Sequence, residues 1–173
     1  GFAHILLEDY GPRLDDEGKR LLNVIMSNAN KMGVLIDDLL AFSRNGRQEM
    51  KFSAINMHQM ANAVFEELAP ADKKIKFSLQ PLAKAYGDHA MIRQVWVNLL
   101  SNAVKFTSHK ENPCIEVGMF TENDETVYFV KDNGAGFDIN NSQHLFGVFK
   151  RLHSSRDFEG TGIGLAFVKQ IIH

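Results

Sequence analysis

The chain has 173 residues, 45% of them hydrophobic and 23% charged, which is the composition of a globular protein able to bury its own core. A net charge of -2 and a pI near 6.4 exclude a broad basic field for nucleic acid or an anionic membrane, so an anionic ligand must be held by local geometry. The single cysteine, Cys114, excludes a disulfide framework and a thiolate zinc site and suits a reducing compartment, and no apolar run approaches the ~20 residues of a membrane span.

In chain order, Phe2 to Tyr10 reads as the end of a helix that Gly11-Pro12 breaks. A second helix starts near Asp15-Asp16-Glu17, whose charges suit a helix N-terminus, and ends at Asn45-Gly46. Its residues Leu22, Ile25, Ala29, Met32, Ile36 and Leu39 recur three and four apart, with a second row at Leu21, Leu35 and Phe42. Two adjacent stripes suit a bundle of more than two helices, so the hairpin is expected to form a four-helix bundle with a second copy of the chain. A hairpin folded onto the rest of the protein is the alternative. No signal peptide is visible, and both ends look cut: Gly1 opens into an apolar stretch and Ile171-Ile172-His173 lies inside a helical pattern.

From Lys51 the pattern is mixed. Lys51 to Asn56 is a short strand, and Met57 to Leu68 an amphipathic helix stopped by Pro70. Ile75 to Gln80 alternates as a strand with Ile75, Phe77 and Leu79 on one face; a loop and Ala85-Tyr86-Gly87 follow. Asp88 caps a long helix to about Phe106. Ile115 to Phe120 and Thr126 to Lys131 are strands joined by the polar turn Glu122-Asn123-Asp124-Glu125. Residues 138–159 read as a mobile loop with one short helix, and Thr161 to His173 as a closing helix. Helices and antiparallel strands in this order predict an α+β fold, a two-layer sandwich preceded by the hairpin, with domains at 1–50 and 51–173.

Three pieces could carry chemistry. At 100° per residue, Asn98, Asn102 and Lys105 share an arc of about 60° on the long helix, while Ile92, Val95, Trp96, Leu99 and Ala103 face the core. Amide oxygens can ligate a hard cation and an ammonium can meet a phosphate; by itself such a stripe reads equally as a solvated face. Asp132-Asn133-Gly134-Ala135-Gly136 follows a strand, where glycines allow close approach of a ligand and a carboxylate can accept from an exocyclic amino group; it also reads as a turn. Gly160-Thr161-Gly162-Ile163-Gly164-Leu165 runs into the last helix, and amides at a glycine-rich helix start hold anions without net positive charge. The spacing GxGxG after polar sequence is not a dinucleotide fingerprint, and no GxxxxGK[ST] occurs, so the P-loop enzymes are excluded.

Taken together and in order, the pieces resemble sensor histidine kinases. Gln94-Val95-x-x-Asn98-Leu99-Leu100-x-Asn102-Ala103-Val104-Lys105-Phe106-Thr107 resembles their N box, Asp132-x-Gly134-x-Gly136 the G1 box, Phe146-Gly147-Val148-Phe149 the F box, and Gly160 to Leu165 the G2 box. The wording of Leu145 to Leu165 looks most like phytochrome-related bacterial sensor kinases.

The resemblance implies a Mg·ATP site. It gives Asn102 the Mg²⁺ that bridges the phosphates, Asn98 the metal's water shell, Lys105 a phosphate, and Phe106 and Phe137 the pocket lining. Asp132 would hold the adenine amino group beside Gly134 and Gly136. Residues 138–159 would be the ATP lid, with Phe146 and Phe149 as apolar anchors and Lys150, Arg151 and Arg156 as candidate phosphate contacts. Gly160, Thr161, Gly162, Gly164 and Leu165 would form the hinge and phosphate cradle. The implied catalytic residues are Asn98, Asn102 and Lys105. Hydrolytic relatives carry a glutamate where this chain has Asn98; an amide cannot take a proton from water, which favours transfer to a side chain.

The family's phosphoacceptor motif, His-Asp/Glu-x-Arg-x-Pro, is absent. His4 lies in Ala3-His4-Ile5-Leu6, and the other six histidines lack the context too. The acceptor is therefore expected upstream, and the family's last strands downstream. The expected function is the core of a two-component kinase that passes the γ-phosphoryl group of ATP to histidine and then to a response-regulator aspartate. Its expected partners are a second copy of the chain and a receiver domain, its location cytoplasmic, with no nucleic acid and no membrane contact by these residues. The alternatives are a non-catalytic nucleotide-binding module of the same fold and a hydrolytic ATPase.

Overall fold

The structure is a computed structural model that describes residues 2–45, 50–71, 74–138, 145–150, 158 and 160–172. It divides into two compact units, Gly1–Gln48 and Glu49–His173.

The first unit is helical. Helix α1 (Phe2–Tyr10) ends in a 3-10 turn, Gly11–Arg13, closed by Leu14 N–H donating to Gly11 O at 3.2 Å. Helix α2 (Asp16–Asn45) starts where the charges place it. The Asp15 carboxylate accepts from Gly18 N–H at 2.8 Å, satisfying an amide left over at the helix start. Arg20 pairs with Glu17 one turn away, which lowers the Glu17 pKa. No residue of α1 is buried, and Ile5, Leu6, Leu21, Val24, Ile25, Met32 and Ile36 are all exposed. The surroundings of Leu35, Leu39 and Phe42 lie outside the described residues.

The second unit is α+β. Strand β1 (Phe52–Ile55) leads to α3 (Met57–Leu68), capped by the Asn56 side chain on Gln59 N–H. The buried residues of α3 are Met57, Met60, Ala61, Val64 and Phe65, one helical stripe. Strands β2 (Lys76–Leu79) and β3 (Ala85–Asp88) follow, then α4 (His89–Phe106), β4 (Cys114–Glu122), β5 (Glu125–Asp132) and α5 (Gly164–Ile172). One sheet pairs β1 with β3 antiparallel; the other has the order β2-β4-β5.

Four expectations are corrected here. The β2–β4 pair is parallel, because the chain between them runs through β3 and α4, and a crossover of that kind delivers a strand in the same direction. Ala85–Asp88, which has no strand pattern of its own, is a strand: Phe52 pairs with Asp88 and Ile55 with Ala85. The β4–β5 hairpin is longer than expected, reaching Glu122 and Glu125 around Asn123 and Asp124, both at positive φ (50° and 64°) as a two-residue hairpin loop requires. The final helix starts at Gly164 rather than Thr161.

Ile115 and Val117 on β4 are fully buried against Val64, Phe65, Trp96 and Leu100, with Phe77, Leu79, Tyr128 and Val130 packed at the edge of this core. Phe65 stacks on Phe77 at 3.7 Å between centroids. On α4 the fully buried leucine is Leu100, not Leu99, because α4 packs against α3, α5 and β5 at once and its buried stripe is wide. Phe77 and Leu79 do share the inner face, as the alternation requires.

Candidate functional site

Helix α4 positions most of the site, and Asp88 positions α4. One carboxylate oxygen of Asp88 accepts from Ala90 and Met91 N–H at 3.0 and 3.1 Å, the other from Lys51 N–H at 2.9 Å just before β1. These bonds to the charged form, Lys51 first, hold the Asp88 pKa below its ordinary value. The cap thus starts the helix and ties it to the small sheet.

On the face away from the core, Lys105 Nζ donates to Asn102 Oδ1 at 3.0 Å and lies 4.4 Å from the centre of the Phe106 ring. Asn98 Nδ2 donates to Gln94 O at 2.9 Å, which fixes the amide and leaves Oδ1 directed at α5. All three residues are half-buried.

The two glycine segments meet this stripe. A Cβ on Gly164, the first residue of α5, would sit 2.6 Å from Asn98 Oδ1, and one on Gly160 would sit 3.2 Å from Lys105 Nζ. The turn after β5 closes on the C-terminal end of α4: Ala135 N–H donates to Phe106 O at 3.2 Å, and a Cβ on Gly134 would lie 2.7 Å from that same carbonyl oxygen. Asp132 Oδ1 accepts from Gly134 N–H at 2.8 Å, which turns the chain and orients the carboxylate. Gly136, Gly160 and Gly162 have positive φ. Asp132 and Phe137 are exposed, Thr161 and Leu165 half-buried.

Asn98, Asn102, Lys105 and Phe106 are therefore brought together with Gly134, Gly160 and Gly164 from three distant stretches of sequence. Phe149 joins them through its backbone, its N–H donating to Gly162 O at 3.0 Å, while the rings of Phe146 and Phe149 are exposed rather than inserted as anchors. Lys150 is exposed, next to that contact. Arg151, Arg156 and the short helix expected in 138–159 lie outside the described residues. Phe158 was not anticipated. Its ring packs edge-on to Phe106 at 5.2 Å and stacks on His109 at 5.1 Å. An aromatic two residues before Gly160 was the only sequence signal for it.

No cluster of three His, Cys, Asp or Glu side chains that could hold a metal occurs among the described residues. Asn102 offers one amide oxygen beside an ammonium. That donor set fits a Mg²⁺ ion arriving with phosphate oxygens and water, not a resident metal held by protein alone.

The second unit thus places an amide-and-ammonium stripe on α4 against one glycine segment, with the other glycine segment closing on the end of the same helix. Residues 87–173 match the histidine kinase-, DNA gyrase B- and HSP90-like ATPase family, and the chain belongs to it. Its relatives are phytochrome-related and other sensor histidine kinases. Cyanobacterial phytochrome B of Nostoc sp. is 32% identical over 99% of this chain and 23% of its own length. The methanogenesis regulatory histidine kinase FilI of Methanothrix harundinacea is 34% identical over 99% of this chain and 20% of its own. The chain thus spans about a fifth of the length of these relatives. Among solved structures, full-length ShkA in complex with AMPPNP superposes with a TM-score of 0.66 at 23% identity, over 91% of this chain and 34% of that one. The Acinetobacter baumannii histidine kinase AdeS gives 0.64 at 20%, over 98% and 79%. No described helix is long and apolar enough to cross a membrane.

Proposed function

We propose that this chain is the ATP-binding core of a two-component sensor histidine kinase, with the hairpin of residues 1–50 serving as part of its dimerisation domain and residues 51–173 as its catalytic domain. The observation that carries the reading is the close approach of Asn98 to Gly164 and of Lys105 to Gly160, which sets an amide and an ammonium against the two ends of one glycine segment able to hold phosphate. Asp132, with one oxygen held by Gly134 N–H, presents its remaining lone pairs to the adenine amino group. Phe106 and Phe137 line the base, and Lys105 exchanges its bond to Asn102 for one to a phosphate oxygen. Asn102 would hold Mg²⁺ through its amide oxygen, and Asn98 would support the ion's water. The ion supplies charge neutralisation on the phosphates when bound. Lys150 and Arg151 are the lid cations available to the same phosphates.

In the transfer, a histidine ring nitrogen bonds to the γ-phosphorus, the bond from that phosphorus to the β-γ bridging oxygen breaks, ADP leaves, and the ring N–H proton goes to solvent. Positioning and electrostatics carry most of such a step. Asn98 is an amide where a carboxylate would activate water, so the geometry favours a side-chain acceptor over hydrolysis. The phosphoryl group then passes to an aspartate of a receiver domain. A cytoplasmic location and a homodimer complete the reading.

Asn102→Ala and Asp132→Ala are each expected to weaken ATP binding about tenfold or more, the loss for a hydrogen bond to a charged group. Titration calorimetry in the presence of Mg²⁺ measures this, and unchanged affinity in both variants would sink the site assignment.

A further inference from the structure

Asn133 stands inside the first glycine segment, between the carboxylate and the glycine, and no role falls to it in the nucleotide site. Its three hydrogen bonds give it one. In the β4–β5 ladder Ile115 faces Asp132, so Cys114 and Asn133 are the next pair. An antiparallel pair of this kind exchanges two backbone hydrogen bonds. One is present: Asn133 N–H donates to Cys114 O at 3.2 Å. In the other the acceptor has changed. Cys114 N–H donates at 2.8 Å to Asn133 Oδ1, the side-chain oxygen, instead of the backbone carbonyl. Asn133 Nδ2 then donates to Asn112 O at 2.9 Å, tying the same side chain to the loop before β4.

The side-chain amide thus completes the ladder and releases the main chain from it. The backbone can leave the sheet at residue 133 while the Cys114 amide keeps a protein acceptor. The chain turns at once into Gly134, whose N–H holds Asp132 Oδ1 and whose missing Cβ lets the turn close on Phe106 O. Strand β4 also pairs with β2 on its other side, so the anchor point is the central strand of the sheet.

We infer that Asn133 is a positioning residue for base recognition: by substituting its side-chain amide for a backbone carbonyl at the end of the ladder, it sets the turn through which Gly134 orients the Asp132 carboxylate. The inference rests on the reading of Asp132 as the partner of the adenine amino group. Replacing Asn133 therefore disturbs the contact to the amino group while leaving the phosphate contacts of α4 and α5 in place.

The test compares ATP with inosine triphosphate, which has a carbonyl in place of the amino group, by competition binding to the whole chain. Asn133→Ala is expected to lower the preference for ATP about tenfold, the value of a hydrogen bond to a charged group, and to leave affinity for inosine triphosphate within about twofold. Asn133→Asp keeps an oxygen for Cys114 N–H and loses the donor to Asn112 O. Its added charge weakens both nucleotides alike, so its ATP preference should recover part of the way. A merely structural role would lower both affinities equally in Asn133→Ala, and that result overturns the inference. If Asn133→Ala does not fold, Asn133→Leu, similar in size but unable to accept from Cys114 N–H, takes its place, and equal loss of both affinities or an unchanged preference in it overturns the inference. Asp132→Ala separates the two layers. If it abolishes the preference and Asn133→Ala does not, the positioning role falls and the nucleotide site stands. If Asp132→Ala keeps the preference, the base-reading assignment falls and the inference with it.

Discussion

Asn98 is held at one end by Gln94 O and meets Gly164 at the other, where an added methyl would come within 2.6 Å of its Oδ1. The amide cannot swing aside without giving up the bond to Gln94. Gly164 is also the first residue of α5, outside the helix interior where alanine has its full advantage over glycine. Gly164→Ala is therefore expected to lower the melting temperature by no more than the loss of the exposed Asn98–Gln94 bond while weakening Mg·ATP binding more strongly, because the side chain proposed to support the metal's water is pushed out of place. Thermal unfolding and nucleotide titration on the same sample check this; a parallel fall in both would mean the glycine serves packing alone. The residue types of this contact were legible in the sequence as boxes. The physical reason for Gly164 was not, since it is a contact across sixty-odd positions of chain (98 to 164) rather than a property of the local backbone. Phe158 was hidden for the same reason: its partners, Phe106 and His109, are remote in sequence.

At the scale of elements, local chemistry predicted what is locally determined. Asp88 caps α4, Pro70 follows the end of α3, and alternation placed Phe77 and Leu79 inward, whereas Asn56, read as the end of a strand, caps α3. What escaped was pairing. Ala85–Asp88 contains glycine and aspartate, poor strand formers, and is a strand because Phe52–Ile55 lies beside it. The parallel register of β2 with β4 is likewise set by the crossover and not by either strand's composition. Asp88 joins the two kinds of determinant, since it caps α4 and accepts from Lys51 N–H. Its pKa is lowered in the folded protein, so its contribution to stability is complete above the unfolded carboxylate's pKa, about 4. That contribution is lost as the pH falls through the lower folded value. Melting temperatures of the wild type and Asp88→Ala are thus expected to differ by several degrees at neutral pH and to converge in acid. A gap that persists unchanged below the folded pKa would remove the charged cap from the explanation.

Across the whole molecule, the two units carry different unfinished business. The helical unit exposes Leu21, Val24, Ile25, Met32 and Ile36 along α2, more apolar surface than an isolated hairpin tolerates well. With the proposed dimerisation role, charges at Ile25 and Ile36 (Ile25→Lys with Ile36→Lys) should shift the chain from dimer to monomer in sedimentation velocity and leave ATP affinity of the second unit unaltered. A dimer that persists would place the interface elsewhere. The second unit depends on α5, nine residues at the far end of the domain that pack on α4 through the junction at Asn98 and Gly164. A molecule that touches both sides of that junction cross-links segments far apart in the chain. By mass action, such a ligand present at a hundred times its dissociation constant adds about 2.7 kcal/mol to the folded state, comparable to a buried leucine. If that ligand is the nucleotide proposed above, its concentration sets the fraction of the domain that is unfolded, and so the fraction open to proteases.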